Sequence, residues 1–86
     1  MKLMKKYELS KNWIEKNRNK IKEAYIIAGV RGFNISSRDD VFKLIKIIDP
    51  ENACIENADV FSKILQLLSK QLGKRFDQKL KIKIIN

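Results

Sequence analysis

Residues 60–72 constrain the rest of the chain most. Val60, Phe61, Ile64, Leu65, Leu67, Leu68 and Leu72 recur there at helical spacing, a wide apolar face that requires a second apolar surface to cover it. Asn57 or Asp59 stands where an N-cap is needed and Gly73 where a C′ glycine would close the helix, so a helix through Leu72 is predicted. The opposite stripe, Ser62, Lys63, Gln66, Ser69 and Lys70, is polar and is predicted to face solvent.

Two further segments can supply the covering surface. Residues 11–28, with Ser10 as N-cap, place Trp13, Ile14, Ile21, Ala24, Tyr25 and Ala28 within an arc of about 120°, ending at Gly29. Asn17 sits inside that arc and Ile26 outside it, the two residues that break the pattern. Trp13 and Tyr25 lie on the apolar arc and are therefore read as core. Ser37 with Asp40 three residues on makes a capping-box-like start for another helix, whose apolar face is Val41, Phe42, Leu44, Ile45 and Ile48. Asp49 followed by Pro50 ends it, because a residue before proline is pushed out of helical geometry. Residues 30–36 read as a turn with one short strand at Phe33 and Ile35, and residues 51–57 as a short connection containing Cys54 as a small buried hydrophobe.

After Phe76 the period changes. Lys79, Leu80, Lys81, Ile82, Lys83 and Ile84 alternate strictly, which predicts a strand with the apolar residues on one face. A lone strand leaves its backbone groups unpaired, so it needs residues 2–7, residues 33–35 or a second subunit. The expected architecture is mainly α, three helices with a small β element at the C-terminus. It is winged-helix-turn-helix-like if that strand pairs.

Eighty-six residues make one domain, 1–86, with a single small core that a homodimer would extend. A hydrophobic content of 44% argues against disorder. Cys54 is the only cysteine, so no internal disulfide forms, and histidine is absent, which removes the usual general base and the commonest transition-metal ligand. Asp39, Asp40, Asp49 and Glu51 could bind a hard cation, but helix capping and the Asp-Pro turn explain the aspartates better. No catalytic constellation, metal site or cofactor motif can be assembled, and a non-enzymatic protein is expected. No run reaches the ~18 apolar residues of a membrane span, so a cytoplasmic protein is expected.

The charge is unevenly laid out. Residues 1–38 carry ten Lys/Arg against Glu8, Glu15 and Glu23, net +7. Residues 39–61 carry Lys43 and Lys46 against six carboxylates, net −4; residues 62–86 carry seven basic residues against Asp77, net +6. Two basic ends around an acidic middle point to a polyanionic partner. On the helix-turn-helix reading, Ser62, Lys63, Gln66, Ser69 and Lys70 face a DNA groove. Lys63, Lys70, Lys74, Arg75, Lys79, Lys81 and Lys83 then contact phosphates with no preference among sequences. Glu56 and Asp59 at the start of the recognition helix oppose that reading, and the scarcity of arginine, four against fifteen lysines, disfavours bidentate base readout. The expected function is a small DNA-binding regulator. RNA is a second polyanion for the same lysines, and docking on an acidic protein surface, as a viral or mobile-element inhibitor would do, is the alternative from another class.

Overall fold

The computed structural model describes the backbone of residues 4–85 and the side chains of residues 4–72. The protein is mainly helical: α1 (Lys11–Lys16), α2 (Arg18–Arg31), α3 (Arg38–Ile48), a 3-10 turn (Pro50–Asn52) and α4 (Ile55–Ile85). Helix α3 packs on both α2 and α4, and α1 leans on α2. Phe61, Leu44, Ile45, Leu65 and Val41 are the largest fully buried side chains, so the core sits where α3 meets α4. Ile21, Ala24 and Ala28 close it from α2; Tyr7 closes it from the extended N-terminal segment. Trp13 and Tyr25 pack half-buried against this core.

The predicted first helix is two helices. Ser10 caps α1 as expected, its hydroxyl accepting from the Trp13 N–H at 3.2 Å. Asn17 then breaks the run: its backbone N–H and its side-chain Nδ2 both donate to the Trp13 carbonyl, at 3.0 and 2.9 Å. A short polar side chain that bonds its own backbone competes with helix continuation, which is why the residue that spoiled the apolar arc is the breakpoint. Helix α2 runs past Gly29 and ends at Gly32, which has φ +73°. Phe33 N–H returns to the Ala28 carbonyl at 2.9 Å, a Schellman closure that needs a left-handed residue at Gly32 and an apolar residue after it.

Residues 33–36 form a turn, not a strand. Asn34 Oδ1 accepts from the Ser36 N–H at 2.9 Å, and the Asn34 carbonyl accepts from the Ser37 N–H at 2.9 Å. Ser37 caps α3, its hydroxyl accepting from the Asp40 N–H at 3.4 Å. The Asp40 carboxylate reaches past the cap to the Asn34 N–H at 2.8 Å, so the reciprocal half of the capping box is spent on the turn. Asp49 and Pro50 end α3 as predicted.

Helix α4 differs from expectation at both ends. It begins at Ile55, with Cys54 as the cap: Cys54 Sγ accepts from the Asn57 N–H at 3.4 Å, and the Cys54 carbonyl takes the Ala58 N–H at 2.9 Å. Cys54 is only partly buried. At the other end the helix runs through Gly73 to Ile85, so the predicted C-terminal strand and its wing are replaced by helix, and no strand occurs among the described residues. Six alternating residues are a short signal, and no strand among the described residues is present to pair with them. A helix satisfies each backbone group from within the segment, and Lys, Leu, Gln and Arg are good helix formers.

Candidate nucleic-acid interface

Helix α4 carries the predicted phosphate-binding residues, and its inner and outer sides sort them. Lys63 and Lys70 are exposed; Gln66 and Ser69 are half-buried at the edge of the stripe. Ser62 is the exception. It is 6% exposed, and its hydroxyl donates to the Ile35 carbonyl while accepting from Gln66 Nε2 at 3.0 Å. Ser62 therefore joins α4 to the turn between α2 and α3, and is unavailable to a groove. Leu67 and Leu72, expected inside, are exposed instead. The side chains of Lys74, Arg75, Lys79, Lys81 and Lys83 lie outside the described residues. At 100° per residue, positions 63, 70, 74 and 81 fall on one stripe about 40° wide, spanning ~27 Å of helix.

The only ion pair of α4 among the described residues is weak. Lys63 Nζ lies 3.7 Å from Asp59 Oδ2, with both side chains more than half exposed, so the pair holds Lys63 loosely and leaves it free for a phosphate. Two of the six carboxylates of residues 39–61, those of Asp40 and Asp49, are engaged in holding the fold. Asp40 is in the turn, and Asp49 Oδ2 accepts from Lys20 Nζ at 2.9 Å and from the Tyr7 hydroxyl at 2.7 Å. Of the described lysines and arginines only Lys20 is partly buried; the rest are exposed.

The first turn of α4 is closed off. Asn57 is 2% exposed and fully bonded: its Oδ1 accepts from the Tyr7 N–H at 2.9 Å, and its Nδ2 donates to the Lys5 carbonyl at 2.9 Å and the Asn52 carbonyl at 2.7 Å. Asn52 Oδ1 takes the Lys5 N–H at 2.7 Å. Residues 5–7 are thus strapped across the start of α4 by two asparagines. A helix-turn-helix protein reads bases with the first turns of its second helix. Here those turns hold the strap and the exposed carboxylates of Glu56 and Asp59. Sequence reading missed this latch because Asn57 reads as an N-cap; its partners Tyr7 and Lys5 lie about fifty residues away.

Among the described residues no group of three or more His, Cys, Asp or Glu could hold a metal ion, and no helix is long and apolar enough to cross a membrane. No known protein family, curated protein or solved structure matches the chain.

Proposed function

We infer that the protein is a non-enzymatic, sequence-tolerant nucleic-acid-binding protein, a small regulator that grips phosphates along α4. The observation that carries this reading is the α4 stripe: exposed Lys63 and Lys70 on a helix whose register continues through Lys74 and Lys81, in a segment of net charge +6. Lysine is a point charge suited to phosphate oxygens and blind to base identity. The strap and the carboxylates at the start of α4 favour phosphate contact by its later turns over base reading by its first. Duplex DNA is the leading partner; structured RNA uses the same contacts.

Fluorescence anisotropy with labelled duplex DNA tests it. The four phosphate contacts of the stripe would lower affinity by about two orders of magnitude between about 50 and 200 mM salt. A flat salt response would remove the proposal. Tighter binding to structured RNA in direct competition would reassign the polyanion.

A further inference from the structure

Helix α2 is apolar on two sides. Ile21, Ala24 and Ala28 are buried against the core. On the outer side Ile26 is 64% and Val30 82% exposed, one turn apart. Gly29 lies between the two sides, exposed, with nothing within 4 Å of where a Cβ would stand. A glycine inside a helix costs about 1 kcal/mol relative to alanine, and no contact among the described residues calls for one. What it does provide is a flat place where another backbone can come close. An open hollow of about 220 Å³ adjoins it, lined by Tyr25, Ala28, Gly29, Phe33 and Ile35.

The other end of α2 is basic. Arg18 and Lys22, four residues apart and exposed, continue the line of Tyr25 and Gly29 along the helix, and neither forms an ion pair with a described residue. Arg18 also borders a second open hollow of about 430 Å³, with Ile14 and Glu15. A second copy of the chain fits this face poorly. Each copy carries net charge +9, so two copies brought together here repel.

The geometry points to a docking groove along α2 for an acidic amphipathic helix of a partner protein. Its apolar side chains fill the hollow at Tyr25, Gly29 and Phe33 and cover Ile26, while its carboxylates meet Arg18 and Lys22. This groove shares no residue with the α4 stripe and does not depend on nucleic-acid binding.

The probe is a fluorescein-labelled synthetic helix with leucines on one face and glutamates on the other. Its controls are the same helix with lysines for glutamates and a scrambled glutamate peptide. Titrated against the full-length ¹⁵N-labelled protein, the acidic helix should saturate at micromolar concentration and shift the amides of Ala28, Gly29, Val30 and Phe33. Gly29→Leu, which keeps a good helix former in place, should weaken binding at least tenfold, as should Arg18→Glu with Lys22→Glu; Gly29→Ala should weaken it by a smaller factor, and binding of Gly29→Ala equal to the parent would remove the close approach at Gly29. The groove is disproved by no saturation up to millimolar peptide, or by equal binding of either control. Shifts confined to other faces, displacement of the peptide by duplex DNA, or the same shifts appearing with protein concentration alone would disprove it equally.

Discussion

Tyr7 and Asp49 are 42 residues apart in the chain, and the Tyr7 hydroxyl donates to Asp49 Oδ2 at 2.7 Å. The same oxygen accepts from Lys20 Nζ at 2.9 Å, and Asn52 Nδ2 reaches both carboxylate oxygens at 2.9 and 3.0 Å. One carboxylate therefore ties together the N-terminal strap, α2 and the connection between α3 and α4. The Tyr7 ring also packs against Trp13 and Phe61, with centroids 4.7 and 5.3 Å away. The strap is held by an apolar contact and a polar one at once, each excluding water from the other.

Removing the second half of that latch should be costly. Asn57→Ala leaves the Tyr7 N–H and two carbonyls without their partner in a buried site. A loss of about 2–3 kcal/mol in urea unfolding is expected, with faster hydrogen exchange at the Tyr7 amide. A change below about 0.5 kcal/mol would mean that the strap contributes nothing to folding.

The pH dependence follows from the Tyr7–Asp49 pair. Burial alone would raise the Asp49 carboxyl, but hydrogen bonds from Lys20, Asn52 and Tyr7, with the charge of Lys20, outweigh it and hold the group below its ordinary 3.8. The unfolded chain binds that proton more readily, so this stabilisation is present above about pH 4 and is lost as pH falls through the lower folded value. Burial, the hydrogen bond to Asp49 and the nearby charges of Asp49 and Cys54 push the Tyr7 phenol far above its ordinary 10. The folded state keeps a proton that the unfolded state gives up, so stability falls as pH rises beyond about 10. Asp49→Asn should flatten the acid limb and Tyr7→Phe the alkaline one, read as urea midpoints across pH.

Gly29 inside α2 and Gly32 at its C-terminal cap should respond oppositely to alanine. At Gly29 the backbone is helical and the space is open, so Gly29→Ala should stabilise by about 0.5–1 kcal/mol. Gly32 holds φ +73°, and Gly32→Ala should destabilise by about 1 kcal/mol. Thermal melts of the two variants check the pair; equal shifts would contradict the placement of the helix end at Gly32.

Neighbouring residues on α4 should separate structure from binding. Ser62→Ala removes a buried hydroxyl bridging Ile35 and Gln66, and should lower stability by about 1–2 kcal/mol without changing the salt slope of DNA binding. Lys63→Ala and Lys70→Ala should leave stability within about 0.5 kcal/mol and each reduce the salt slope by about one. Anisotropy and unfolding curves on the same three variants decide it.

Much of the fold was legible because local physics decided it. Ser10 and Ser37 cap where serine can, Asp49 and Pro50 stop a helix wherever they fall, and the apolar face of Phe61, Ile64 and Leu65 required burial. The exposed lysines of α4 were legible for the same reason, since a lysine opposite an apolar face has nowhere to go but solvent.

Three matters were left to the tertiary structure. Residues 79–84 alternate as a strand would, yet they continue α4 as helix, with no strand among the described residues to pair with. Ser62 reads as surface by its type, and becomes interior because the turn after α2 brings the Ile35 carbonyl to it. Asn57 reads as an N-cap and Asp49 as a turn residue, and both became the latch because their partners arrive from distant parts of the chain. Sequence alone determined which groups need partners; only the packed chain determined which partners they found, because hydrogen bonds between distant segments have no periodicity to betray them.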